Sequence, residues 1–497
     1  MHSSVHFGKC EGLKMRKLTI NTESTEIFGN LDALDEDPSF FRNCFYATKA
    51  FEKLKRKKRL MIVVGEKGTG KSALFRMAAM EDDESEDTFA VEAKYLKIDD
   101  KADISQKIQG WKEYLSQRIV EKISKKEQAR GNLGRKVTEG IGLLASAIGD
   151  AVKTKYGIDY AQLKTGILAL RAEDYKIRLY IDDLDLGYKA THEKNETIIA
   201  LFTAVREMLR EMENLSCRIA LRTDVFDNVR REDESSDKIK DAKMNLIVTN
   251  HDIMAMLTKR VICYLDPEHM KRDYSSLHQS QMMQEMATVF ETVFHGKGRW
   301  SEKPMYNVLM SFVRRRPRDI IFLCGLAWDH AVTERKQTKI STEDIEAVLD
   351  EYSKGCRSDI IAEYGQEFIN SDCVNHLCGA LKPSRNEQKN RKLFVYTRDA
   401  LIKKIGTITE HEKIKFSDET IASDLKLAAF LYRANVIVAR KDAREGNIVR
   451  TYYMEKPDLL DGGIDQGYQF EVHPAYRPAI SSEINVMSTV ESETEDV

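Results

Sequence analysis

The chain is poor in net charge, in proline and in long apolar runs, and each shortage excludes something. The 78 Lys+Arg against 80 Asp+Glu leave only −2 over 497 residues. No global field therefore draws the protein towards nucleic acid or membrane, and any such contact needs a local patch. With 8 prolines and 26 glycines, long disordered linkers are not expected. No apolar run reaches the roughly 18 residues of a spanning helix. The nearest candidate, Gly140 to Gly149, reads as a core helix, with an interfacial helix as the alternative. The N-terminus shows no basic–apolar–small pattern of a secretory signal. The 8 cysteines are scattered, several of them (Cys217, Cys263, Cys324) in apolar runs. That pattern predicts reduced, mostly buried thiols, a cytoplasmic location and no membrane span.

What is present supports two or three hydrophobic cores, with 42% hydrophobic residues. Residues 1–25 read as a leader without periodicity. Phe28-Gly29-Asn30 opens an acidic stretch, a helical pattern runs through Phe41, Phe45 and Phe51, and a basic cluster spans Lys53 to Lys58. Leu60 to Val64 then reads as a buried parallel strand. Further strands are predicted at Ala90–Ile98, Ile177–Ile181, Cys217–Leu221 and Leu246–Val248. Apolar spacing over 103–128 predicts an amphipathic helix, the start of a helical insertion over about 100–172. Strands alternating with helices imply a parallel sheet covered on both faces, here over 26–252. Residues 253–356 read as an all-helical lid. Residues 357–480 end in helices over 417–435 and strands at Val436–Ala439, Val449–Tyr453 and Tyr468–Val472, a winged-helix-like pattern. An acidic tail, expected to be mobile, completes the chain over 481–497.

The most specific motif is Gly65-Glu66-Lys67-Gly68-Thr69-Gly70-Lys71-Ser72, followed by Ala73. It is a P-loop: a glycine-rich turn between a strand and a helix whose N–H groups close around phosphate oxygens. Lys71 supplies the charge for the outer phosphates and Ser72 a hydroxyl for Mg²⁺. ATP with Mg²⁺ is the expected ligand. The strand at 177–181 ends in Asp182-Asp183-Leu184-Asp185. Asp182 is the expected metal partner, and Asp183 stands where a water-activating carboxylate is needed. Asp185 assists or caps the next turn.

Several arginines leave alternatives open. Arg222 senses the outer phosphate or pairs with Asp224 or Asp227. Arg260 is a finger for a neighbouring subunit or a solvated helical charge. Arg316 and Arg318 flank Pro317 at a helix start suited to reaching over the nucleotide. Cys373 to Cys378, with Cys356, matches no common zinc spacing and reads as buried thiols, and His473 reads as structural. Lys403, Lys404, Arg433, Arg440 and Lys441 are candidates for contacting DNA.

Taken in order, Phe28-Gly29, the P-loop, Tyr180 to Asp185, Arg222-Thr223-Asp224, Arg316 to Asp319 and Phe470 to Pro474 resemble the KAP and STAND branches of AAA-like bacterial ATPases. The resemblance implies an ASCE-type P-loop NTPase sheet, a helical lid with arginines reaching the nucleotide and a C-terminal winged-helix-like domain. It brings Phe28, Arg316, Pro317 and Arg318 into the nucleotide-contacting set beside Gly65 to Ala73. It also implies homo-oligomers, an effector protein partner and a role in anti-phage defence. The leading expectation is an ATPase that drives assembly or switching. A nucleotide-gated scaffold with little turnover and a winged-helix DNA-binding regulator are the alternatives.

Overall fold

The computed structural model describes residues 16–130, 176–232, 237–269, 273–297, 300–389, 393–411, 413–443, 447–460, 467–482, 484, 486–491 and 493. The Gly140–Gly149 segment, the insertion from 131 to 172, the leader before residue 16 and tail residues 494–497 lie outside them.

Five strands form one parallel sheet: β1 (Leu60–Val64), β2 (Thr88–Ala93), β3 (Lys176–Ile181), β4 (Leu215–Leu221) and β5 (Lys243–Asn245). Their order is β2-β3-β4-β1-β5, so β4 stands between the P-loop strand and the strand that ends in Asp182. This is the ASCE arrangement. β1 shows why its sequence is apolar throughout. Met61 and Val63 join one core with Leu74 and Phe75 of the helix Lys71–Glu84, while Ile62 and Val64 join a second with Trp111, Leu115 and Leu201. Both pleat faces are covered, so no polar alternation survives. β5 begins three residues before the expected Leu246. The sheet's hydrogen bonding carries on into that residue, whose N–H donates to the Val64 carbonyl at 2.7 Å. The pattern through Phe41 and Phe51 resolves into two helices, Pro38–Cys44 and Lys49–Leu54, separated by Phe45 to Thr48.

The lid comprises the helices Asn250–Leu265, Gln279–Glu285, Met305–Phe312, Pro317–Thr333 and Thr342–Tyr364. It is not all-helical: β6 (Val293–His295) and β7 (Ser301–Pro304) pair antiparallel. Strands this short leave no readable periodicity. The boundaries expected at 252 and 356 both fall inside helices, Asn250–Leu265 and Thr342–Tyr364.

The C-terminal unit runs helix Cys373–Ala380, β8 (Val395–Tyr396), helices Arg398–Thr409 and Asp424–Arg433, then β9 (Ile437–Asp442), β10 (Ile448–Thr451) and β11 (Gln469–Val472). The four strands form an antiparallel sheet in the order β10-β9-β11-β8. Its last helix faces inward: Phe430 meets Tyr364 and Phe368 edge-on, with ring centroids 5.8 and 4.9 Å apart. Three of the basic residues considered for DNA are already engaged. Arg433 pairs with Glu367, Lys404 with Glu387, and Arg440 with Asp442, Glu471 and Glu491. Arg440 is 2% exposed, which removes it from any phosphate-facing surface. Lys403 and Lys441 remain exposed.

The tail is not free where it is described. Glu493 pairs with Arg315 and Arg450, and Glu491 with Arg440, because buried guanidinium groups need acidic partners there. His473 is fully buried, between the Tyr452 hydroxyl and the Ala475 N–H, and burial holds it neutral. All seven described cysteines are buried free thiols. Among the described residues no helix is long and apolar enough to cross a membrane.

Glu471 is the electrostatic centre of the C-terminal sheet. Arg450 and Arg477 each reach it at 2.7 Å and Arg440 at 3.5 Å, and all four side chains are buried. Burial alone would raise its pKa, but the three guanidinium groups outweigh burial and hold it below the usual carboxylate range. Glu471→Ala removes the carboxylate partner of Arg477 and one partner each of Arg450 and Arg440, and is expected to cost about 3–5 kcal/mol in urea or thermal unfolding. A carboxylate held low stabilises the fold above its unfolded pKa of roughly 4.3 and loses that contribution as the pH falls. The gap between wild type and variant should therefore close in acid.

Candidate functional site

The P-loop opens into a cavity of about 600 Å³ beneath the lid. Its phosphate end is lined by Lys67 to Ala73, Asp182, Asp183, Asp185, Arg222 and Arg318. The lining also includes the apolar Val248, Met256 and Ile321 and the aromatic Phe45 and Tyr46, with Asp252 and Arg260 on the same helix as Met256. The volume is that of a small-molecule site, with the charged and apolar lining that a nucleotide requires.

The loop is built by its backbone. Gly70 takes φ +94° as the residue capping the helix Lys71–Glu84, a left-handed conformation that side chains disfavour. Lys71 lies inside the loop, its Nζ donating to the Gly65 carbonyl at 2.9 Å and the Glu66 carbonyl at 2.8 Å. Burial lowers its pKa, opposed by Asp185, Asp182 and Glu363. Ser72 and Asp182 both line the cavity, and burial pushes the Asp182 pKa up against the opposing effect of the Ser72 hydroxyl. Two hard oxygens side by side at the rim of a phosphate cradle fit Mg²⁺, which takes one or two protein oxygens and completes its shell with phosphate and water. Asp183, at φ 56°, donates its N–H to Asp182 Oδ1 at 2.9 Å and pairs with Lys94 at 3.0 Å.

The structure brings the expected arginines close but divides their roles. Arg222 lines the cavity and makes a two-pronged contact with Asp224, at 3.0 and 2.5 Å, rather than with Asp227. Its Nε is 3.5 Å from Asp185. Arg318 lines the cavity and donates only to the Leu31 carbonyl, at 3.3 Å, within the strap Asn30–Leu34 that borders the mouth. Arg260 also lines the cavity, but it is held from within its own chain. It is 6% exposed and bonded within its own chain to the Phe28 carbonyl at 2.6 Å and Glu36 at 3.1 Å. Phe28 does not reach the cavity: its ring is fully buried against Phe290. The chain then turns at Gly29, where a Cβ would come within 1.9 Å of Arg260 Nη1.

Arg316 does not line the cavity either. It lies behind the loop, 3% exposed, pairing with Glu66 at 3.3 Å and Glu363 at 3.1 Å. Glu66 also accepts from Asn435 of the C-terminal unit at 2.5 Å. Arg315, at φ 55°, turns the backbone so that three consecutive arginines diverge. Arg314 grips Asp319 at 2.7 Å, Arg315 pairs with Glu455 at 2.6 Å, and Arg316 reaches the P-loop. Glu363, Asn435, Tyr46 and Asp252 were not singled out from the sequence. Each sits on an element distant in sequence and carries no motif, so no local signal marks it.

Residues 269–361 match the family described as FunZ-associated C-terminal helical domain. The chain is 22% identical over 520 residues to the transposon gamma-delta 80.3 kDa protein of Escherichia coli (strain K12), covering 95% of this chain and 69% of that protein. Among solved structures, the Aeropyrum pernix ORC2 protein in its ADPNP-ADP complexes is 11% identical with a TM-score of 0.36, covering 86% of this chain and 88% of that one. The Aeropyrum pernix ORC1 protein in complex with DNA is 11% identical with a TM-score of 0.34, covering 90% and 95%. Cdc6p from Pyrobaculum aerophilum is 13% identical with a TM-score of 0.30, covering 86% and 96%.

The buried triad gives a paired test. Arg316→Ala leaves Glu66 and Glu363 unpaired and is expected to cost about 3–5 kcal/mol. Glu66→Gln should be tolerated. Burial, then the facing Glu363, raises the Glu66 pKa, so the wild-type contribution is lost as pH rises through that value. Melting curves from mildly acidic to alkaline pH should show Glu66→Gln gaining on wild type as pH rises.

Proposed function

We propose that the chain is a Mg²⁺-dependent ATPase whose nucleotide site drives assembly or conformational switching. The observation that carries this reading is the convergence of Lys71, Ser72, Asp182 and Asp183 on one cavity at the P-loop, with the Asp183 N–H donating to Asp182 Oδ1. The loop amides and Lys71 bind the phosphates, and Lys71 exchanges the Gly65 and Glu66 carbonyls for phosphate oxygens. Ser72 and Asp182 would hold the metal, which would neutralise charge on the outer phosphates. Asp183 orients the attacking water and accepts its proton once it leaves Lys94. Arg318 and Arg222 border the outer phosphate end. Tyr46, Val248, Met256 and Ile321 enclose the base.

The helix–strand–helix–helix order of the C-terminal unit, followed by the three strands β9, β10 and β11, supports a winged-helix-like module. Homo-oligomerisation, an effector partner, a cytoplasmic place in anti-phage defence and kinship with the KAP and STAND branches are supported by the motif order from Phe28 to Pro474. One observation favours the second reading, a nucleotide-gated scaffold with little turnover: Asp183 is neutralised by Lys94 and Arg222 is engaged by Asp224.

Steady-state phosphate release with Mg·ATP tests the proposal. Lys71→Ala should abolish ATP binding and turnover. Asp183→Asn should keep binding and lose about 10²–10⁴-fold in turnover, the range of a general base. Unchanged turnover in Lys71→Ala would refute the assignment. Single-turnover kinetics separate the readings, a slow chemical step with tight binding favouring the scaffold.

A further inference from the structure

The basic cluster ahead of β1 plays no part in the nucleotide site. Six of the seven residues from Lys53 to Arg59 are Lys or Arg. The exception, Leu54, is 1% exposed and belongs to the core, whereas the six cations are exposed. Three of these have partners: Lys55 pairs with Glu81, Lys58 donates to the Asp241 carbonyl, and Arg59 donates to the carbonyls of Leu209, Met212 and Leu215. The side chains of Lys53, Arg56 and Lys57 have no hydrogen bond or ion pair among the described residues. Lys240, next to Asp241, is also exposed and unpaired there. The acids around this surface include Glu52, Asp241, the already paired Glu81, and Glu211 and Glu213, which flank the Met212 carbonyl that Arg59 reaches. Positive charge predominates on an otherwise neutral chain.

The turn is held by a frame. Arg218 of β4, 1% exposed, donates to the carbonyls of Leu54 at 3.0 Å, Arg56 at 3.0 Å and Lys58 at 2.8 Å, and to that of Cys217 at 3.1 Å. Alternate carbonyls are drawn onto one buried guanidinium group, which fixes the turn's backbone around the exposed cations. A charge run that serves only solubility needs no such frame. A binding surface benefits, because the backbone is ordered before the ligand arrives.

We propose that this turn docks the phosphodiester backbone of nucleic acid, with Lys53, Arg56 and Lys57 as the contacting cations and Lys240 at the margin. Phosphate contacts are carried by charge alone and need no base reading. A membrane surface fits less well, because the turn's one apolar side chain is buried and offers no anchor. An acidic protein fits less well because no aromatic or aliphatic residue of the turn is exposed as a hot spot. The turn enters β1 at the end opposite the P-loop, about 16 Å away along the 5-residue strand. Binding here therefore leaves the nucleotide cavity untouched and does not depend on the ATPase reading.

The test is fluorescence anisotropy of the full chain with a short mixed-sequence duplex across a salt series, without nucleotide. Wild type should bind at low salt, and a duplex of unrelated sequence should bind equally. Lys53→Ala/Arg56→Ala/Lys57→Ala should weaken binding on the order of 10-fold or more and flatten the salt slope by roughly 2–3, at about 0.9 per phosphate contact. Its melting curve should match wild type, since none of the three side chains makes a hydrogen bond or ion pair among the described residues. Three results would overturn the proposal: no duplex binding by wild type, an unchanged slope in the variant, or competition by polyglutamate as effective as that by unlabelled duplex. The last would reassign the surface to an acidic protein.

Discussion

The position of the phosphate loop depends on one buried guanidinium group. Arg316 sits between Glu66, a residue of the loop itself, and Glu363, near the end of a lid helix. Ions this deep persist only when every charge is matched, because removing one leaves the others stranded. The two carboxylates are not equivalent. Burial raises Glu66, which has Arg316 as its cation and Glu363 facing it. Burial also acts on Glu363, but Arg316, Arg222 and Lys67 outweigh it and hold that group low. One arginine thus joins a carboxylate whose pKa is raised to one whose pKa is lowered.

This joint gives the nucleotide site a physical route outward. Glu66 points away from the phosphates, towards the lid through Arg316 and towards the C-terminal unit through Asn435. Its carbonyl meanwhile accepts from Lys71. When that ammonium turns to a phosphate, the peptide it leaves is the one that carries the Glu66 side chain. The stems of Arg316 and Arg318 pack over Gly68, so the loop is also in direct contact with the lid. A change at the phosphates therefore acts on a residue shared by three parts of the fold, and one core cluster runs through the same parts.

The features legible in the sequence are those whose signal is local. The P-loop spacing, the apolar run of β1 and the Asp182-Asp183 pair closing β3 each occupy a few consecutive residues, and the structure brings them to one cavity. The signal failed where neighbours in space are far apart in the chain. Arg316 and Arg318 look alike beside Pro317, yet one is buried behind the loop and the other lines the cavity. Only the distant Glu66 and Glu363 distinguish them. Phe28 joins the site by motif order alone, since its ring packs on Phe290 and only its carbonyl meets a cavity residue, Arg260. Glu491 and Glu493 look like a solvated tail until Arg315, Arg440 and Arg450 are in place. β8, at two residues, is too short for any pattern to mark.

Hydrogen exchange with and without Mg·ATP tests most directly whether the loop and its surroundings respond together. Added nucleotide should change exchange at residues 65–73 and, with them, at 314–318, 360–368 and 433–437. A response confined to the P-loop would contradict the account of the Glu66–Arg316 joint, and no response anywhere would contradict the nucleotide site itself.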